Sequence, residues 1–348
     1  MKSRVAQVVI GLGIAAVFVA LSLRQVNVAD VATELRSISL WWIIPYFFVV
    51  LLSHLARAER WKLLLDDEAD MKNSRMVMMS AIMYGYITNI VVPRAGEVFR
   101  AVYAGRHSGI QSTKLFGTII LERIIDVFMM LVMLLITFMI IVRDPNVLNQ
   151  IFGTDGAFYI QQLTSATGLS IIALGLILTL SILWYLRNKH QTQSGSDEVE
   201  LTPDHEIHPI GFKNKLSGWI KNFFRGVISI RKLKNWPLFV VYTLAIWMCY
   251  ILTSLLPFYA FGVFSGFGLE EAFVITVVGA VGVALPSPGG IGTYHYMVQT
   301  GLVVLYSISP ITALSYATIG HFINIMCLIV ISIVLFLMNT LYQKRNPA

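Results

Sequence analysis

The chain has 348 residues, 56% of them hydrophobic and 13% charged, with a formal net charge of +7. A soluble domain carries about 25% charged residues, and apolar runs long enough to span about 30 Å of hydrocarbon recur here, so composition excludes a soluble globular domain. The alternating ten-residue pattern of an outer-membrane barrel is missing, and the basic excess reads as cytoplasmic-side charge rather than a nucleic-acid surface, because no basic stretch outside the apolar runs interleaves with stacking aromatics.

In chain order, six segments read as full helical crossings: 5–23, 40–62, 114–142, 164–187, 236–264 and 311–341. The first follows Lys2 and Arg4 and resembles a signal peptide with a weak cleavage site at Ala20-Leu21-Ser22; a retained helix fits the topology better. Between crossings lie two pairs of apolar segments broken by Pro and Gly. One is 76–92 and 97–108, interrupted at Pro93-Arg94-Ala95-Gly96; the other is 269–285 and 290–307, interrupted at Pro286-Ser287-Pro288-Gly289-Gly290. Proline removes a helix donor and glycine relaxes the backbone, so both points should break the helix. Each pair returns to its starting side, whether it crosses fully or re-enters. Six crossings then place both termini on one side, and basic residues cluster there, including nine between Arg187 and Lys234. This is a cytoplasmic bias. Residues 188–234 form the one soluble-looking stretch, in which 212–234 reads either as a basic amphipathic surface helix or as a plain connector.

Residues 76–97 overlay 269–290 with Pro93 on Pro286 and Gly96 on Gly289. An aromatic-rich crossing precedes each and a long crossing follows, giving repeat units of about 40–142 and 236–341. Three crossings separate their starts, so the units should be inverted. Inverted repeats with broken helices point to a transporter whose substrate site lies at the breaks. The expected fold class is therefore all-α: a polytopic transmembrane helical bundle in a single membrane domain, with an inverted repeat and two Pro/Gly-broken helix pairs.

Ionised side chains in the bilayer are expensive and usually functional. Arg94, Glu97 and Arg100 follow the first break at i, i+3 and i+6, which lets Glu97 bridge both arginines. Glu122, Arg123 and Asp126 sit in the next crossing, and the six sum to zero. They form either a helix-locking cluster or a grip on an anionic headgroup. A helix start after Pro93 and arginine's bidentate match to phosphate favour the second. Asn89 precedes this break. At the second break, Pro288, Gly289, Gly290 and Gly292 would either expose amides to an anion or allow tight helix crossing. His295 follows one turn in. A five-residue register shift places His321 opposite Arg123 and Asn324 opposite Asp126. Arg57, Glu59, Arg60 and Trp61 read as interfacial anchors. Cys249 and Cys327 lie in apolar runs and suggest neither a disulfide nor a metal cluster. No metal, nucleotide or nucleophile motif occurs, so no cofactor is expected.

Taken together, Asn89-x3-Pro93-Arg94-x-Gly96-Glu97-x2-Arg100, Glu122-Arg123-x2-Asp126, Pro286-x-Pro288-Gly289-Gly290-x-Gly292 and His321-x2-Asn324 resemble the transmembrane region of the lysylphosphatidylglycerol synthase, or flippase-like, family. The resemblance runs from about residue 40 to 341. Tyr294-His295 departs from it, since an acidic residue is expected near there. The resemblance implies a helical domain moving lipids such as aminoacylated phosphatidylglycerol between leaflets. Some relatives add an aminoacyl-transferase domain, for which a chain ending at Ala348 has no room, so no lysyl transfer is expected. Three readings follow: a transporter of an anionic or aminoacylated phospholipid, glycolipid or polyprenyl-phosphate lipid; a lipid-headgroup-modifying enzyme with Glu97 or Asp126 as base; or a helper of a membrane synthase docking through 188–234.

Overall fold

The computed structural model describes residues 2–24, 26–65, 74–92, 95–143 and 233–345, with 145, 148, 149 and 153. Among these are ten α-helices and no strand: α1 Lys2–Leu23, α2 Val28–Ser37, α3 Ile43–Leu63, α4 Ser74–Val91, α5 Gly96–Ser108, α6 Ser112–Ile141, α7 Trp236–Leu255, α8 Leu269–Ala284, α9 Thr293–Tyr306 and α10 Pro310–Arg345. The chain divides into two compact units, Met1–Thr137 with Leu216–Ala348, and Phe138–Lys215; everything below concerns the first. The expected crossing at 164–187, the loop at 191–209 and the basic segment at 212–232 lie outside the described residues.

The first helices of the two proposed repeats, α3 and α7, pack against each other antiparallel. Trp41, just before α3, meets Tyr259, just after α7, with ring centroids 5.9 Å apart. Midway, Arg57 donates to the Tyr250 hydroxyl. At the other end Arg60 reaches Thr243 at 3.5 Å and lies over the Phe239 ring. Offsetting 76 to 269 moves a residue by 193 positions, and 193 also separates Arg57 from Tyr250. Arg57 and Tyr250, which that offset pairs, thus meet where the two helices cross.

Each broken pair is a helical hairpin closed by small residues. In the first, a β-carbon on Gly85 would lie 3.0 Å from the Gly96 carbonyl oxygen and 3.4 Å from the Arg100 β-carbon. In the second, one on Gly282 would lie 2.9 Å from the Thr293 carbonyl oxygen, and one on Gly279 would lie 2.8 Å from the Tyr294 ring. With a side chain at these positions the arms would separate, as in small-residue packing between membrane helices. At 1.5 Å per residue, the 18 residues of α4 and 16 of α8 cover about 27 and 24 Å. Both fall short of the hydrocarbon core, and each is followed by an arm running back along it.

Three helices are long and apolar enough to cross a membrane, Ser112–Ile141, Trp236–Ala260 and Pro310–Leu341, or four counting α1 and α2 as one span bent by 80°. Their outward faces expose Ile124, Phe128, Leu131, Val334 and Leu337. In water such a surface would be a liability; in lipid it is the solvated face. Boundaries moved where local chemistry dictated. The crossing expected through 264 ends its α-helix at Leu255, because Pro257 starts a 3-10 turn, Leu256–Ala260, followed by another, Gly262–Phe264. Between α1 and α3, where no element was expected, Asn27 caps α2 by accepting from the Ala29 amide.

Candidate functional site

Along α3, residues Tyr46, Val50, Ser53, Arg57 and Arg60 are spaced by four, three, four and three, and all are buried. That spacing is one helix face. It begins apolar and ends cationic, so the expectation that Arg57 and Arg60 anchor α3 at the interface is not met. Arg60 is fully buried and Arg57 nearly so. The reason is α6, which presents the fully buried Glu122 and the partly buried Asp126 to them. Arg60 Nη2 donates to Asp126 Oδ1 at 2.9 Å, and Arg57 Nη1 to Oδ2 at 3.3 Å. Arg123, one turn before Asp126, adds a third guanidinium at 3.1 Å.

From α5, Arg100 reaches Glu122 at 2.7 Å, while Arg60 Nε lies 3.7 Å from the same carboxylate. Neither contact has aligned hydrogen-bond geometry, since both Glu122 oxygens lack a hydrogen-bond partner; charge, not directed bonding, holds this part. The Arg100 guanidinium also stacks 3.8 Å over the buried Trp61 ring. Trp61 in turn donates to Thr118 at 2.8 Å, tying α3 to α6. A desolvated cation over an indole is worth about 2 kcal/mol.

The expected bridge from Glu97 to Arg100 is replaced by the Arg100–Glu122 pair; the other half of that bridge, to Arg94, lies with Pro93 outside the described residues. Glu97 instead lines a cavity of about 30 Å³ with Asn89, Gly96, Arg100, Arg123 and Tyr86. Its Oε2 is buried without a hydrogen-bond partner. The network is also not neutral. Four arginines (57, 60, 100 and 123) face three carboxylates (97, 122 and 126), which leaves one positive charge over among the described residues. Sequence spacing missed this because two of the four arginines come from α3, far from the motif.

Asn89 has a structural task. Its Oδ1 accepts from the Gly96 amide at 2.7 Å, across the break, and so caps α5 from the opposite arm. The first donor of α5 is therefore occupied rather than offered to an anion. Replacing Asn89 with alanine removes this cap and should cost about 1 kcal/mol, read as a lower unfolding midpoint in detergent; an unchanged midpoint would argue against the capping role.

The second break is a self-contained turn. The Gly290 and Ile291 amides donate to the Ser287 and Pro288 carbonyls at 3.2 and 3.0 Å, and the Ser287 and Thr293 hydroxyls pair at 2.7 Å. Those amides therefore do not form the anion-binding concavity expected there. Gly289, Gly290 and Gly292 all have positive φ, where a side chain is strained. Gly289 faces Ile90 of α4, Gly290 faces His321, and Gly292 abuts α1, where a β-carbon would lie 3.2 Å from Val19. The two breaks thus meet, as an inverted pair of hairpins would have it. His321 and His295 sit with ring centroids 5.0 Å apart, and Tyr294 lies 5.0 Å from His321. Asn324 is half-buried one turn further along. His321 thus stands beside the second break, as Arg123 stands beside the first. His54 of α3, whose ring lies 5.1 Å from that of Tyr86, was not foreseen.

The architecture and its buried arginine–carboxylate network define a polytopic helical membrane protein with a polar site at two facing helix breaks. The chain belongs to the family described as the lysylphosphatidylglycerol synthase TM region, whose profile matches residues 8–332. No curated protein and no solved structure matches it significantly.

Proposed function

We propose that this protein is a flippase-like lipid transporter of the cytoplasmic membrane, with both termini cytoplasmic, and that it passes an anionic headgroup through the cavity at the first break. The observation that carries this reading is the positive charge left over by the arginine–carboxylate network among the described residues, beside a cavity that Glu97, Arg100 and the partly exposed Arg123 line. A buried excess charge is costly unless something pairs with it, and arginine forks match phosphate oxygens in pairs. At about 30 Å³ the cavity has room for a water rather than a phosphate. An entering headgroup must therefore displace a contact, and the Arg100–Glu122 pair between α5 and α6 is the natural one to part. The anion takes Glu122's place on Arg100, and the return of Glu122 releases it. Family membership supports a lipid-related membrane role.

The test is leaflet exchange in proteoliposomes. They would carry labelled anionic phospholipid, aminoacylated phosphatidylglycerol, a glycolipid or a polyprenyl phosphate. Exchange of at least one is expected, falling at least tenfold in Arg100→Gln and in Glu97→Gln. Arg75→Gln removes an exposed partner of Glu59 and should leave the rate unaltered. No exchange with any lipid, or full rates in the first two variants, would overturn the reading. A lipid class missing from a deletion strain, with no exchange in vitro, would point to headgroup modification instead.

A further inference from the structure

Away from the arginine network, α9 and α10 carry a second, half-buried ionisable cluster that the headgroup path leaves unused. The His295 and His321 rings meet edge to face, 5.0 Å between centroids. Nδ1 of His295 and Nε2 of His321 are both buried and have no hydrogen-bond partner. A histidine kept only for packing would have its buried nitrogens bonded, because each unsatisfied polar atom is destabilising. Burial makes a protonated imidazole costly, and two imidazoles in contact take up a second proton only against the repulsion of the first. Among the described residues, Tyr294 on α9 lies beside His321, and Tyr46 on α3 and Tyr316 on α10 neighbour Tyr294, all neutral at physiological pH. Elements α8, α4 and α1 face the adjoining turn with glycine and aliphatic side chains. Among the described residues, a proton on the pair would therefore be the one charge at this break.

The pair also has a mechanical partner. A β-carbon on Gly290 would lie 3.7 Å from His321 Cε1, and one on Gly289 would lie 3.7 Å from the Ile90 backbone. Ile90 follows Asn89, which caps α5 and lines the first cavity. One three-residue turn thus touches both the histidine pair and the helix end that shapes the headgroup site.

We propose that His295 and His321 form a single proton-binding site, seated against the glycine turn of the second break, whose occupancy couples lipid movement to a transmembrane proton gradient. This rests on the transporter reading above. The proton comes from water on one side, binds an imidazole nitrogen, and returns to water on the other side as the lipid crosses; no electrons move.

Two measurements test it, one independent of transport. The chain has seven histidines. In nanodiscs, with nitrogen-15-labelled histidine, the signals lost in His295→Gln and in His321→Gln assign the pair. The pair should take up one proton between them across pH 4–9, and each single variant should alter the titration of the remaining partner. Two independent titrations, or none in that range, overturn the site. In proteoliposomes, one-to-one coupling lets a one-unit pH gradient hold up to about a tenfold lipid asymmetry between leaflets. His321→Gln should hold none, whatever its gradient-free rate. A wild-type protein that exchanges lipid but ends with equal leaflets under the gradient overturns the coupling while leaving transport standing. If no lipid exchanges at all, the transporter reading and the coupling both fall, and the titration alone decides the proton site.

Discussion

Replacing Glu122 with alanine is expected to destabilise the folded protein by about 3–5 kcal/mol, the usual cost of stranding a buried charge. Glu122 is fully buried and lies against both Arg60, also fully buried, and Arg100. Without it, two guanidiniums face each other with Asp126 as the remaining carboxylate on α6, already shared by Arg57, Arg60 and Arg123. Reversible unfolding in mixed micelles measures the loss. A double-mutant cycle with Arg100→Ala should show coupling of about 0.5–3 kcal/mol, because once Arg100 is gone Glu122 has less to compensate. A single-variant cost under about 1 kcal/mol would mean that water reaches the pair in the membrane, and the picture of a dry charge network would fail.

The second large effect is steric. Alanine at Gly96 places a β-carbon 2.7 Å from the Asn89 amide carbon and oxygen, and in collision with the Gly85 carbonyl oxygen. One neighbour is backbone and the other is the α5 cap, so neither yields by a simple rotamer change. The α4–α5 arms must separate, breaking the Asn89–Gly96 bond and widening the cavity lined by Glu97, Arg100 and Arg123. Overpacking of this kind costs about 1–3 kcal/mol or more. Lipid exchange should fall with stability, since the arms carry the site. Gly262 is the matched control: a β-carbon there meets nothing within 4 Å, so Gly262→Ala should stay within about 0.5 kcal/mol of the parent. If Gly96→Ala unfolds and exchanges like Gly262→Ala, the hairpin is not held by its glycine contact.

The two breaks were readable because proline and glycine act locally. Pro286, the glycines after it and the apolar runs on either side determine where a helix must stop, whatever surrounds them. The same holds for the charges of α6. Glu122, Arg123 and Asp126 stand in an apolar helix, and their cost there requires partners. Other features were present in the sequence but went unread. The stripe from Tyr46 through Val50 and Ser53 to Arg57 and Arg60 already places both arginines on the buried face, and Asn27 before Val28 is an ordinary helix-start signal.

What the sequence by itself determined is the membrane solvent, the helical class, the two breaks and the presence of a polar site near them. Each follows from composition or from backbone chemistry within a few residues. Which charges pair was decided by the tertiary structure alone. Arg100 stands three residues from Glu97, yet it pairs with Glu122, and Glu122 also takes Arg60 from a helix more than sixty positions away. Spacing along one helix proposes neighbours, but α3, α5 and α6 converge to choose among them, because a buried charge settles on the partner that packing brings closest and water cannot replace. Among the described residues, that choice brings two arginines of α3 into the cluster and leaves positive charge to spare, at the cavity where the proposed anion would meet it.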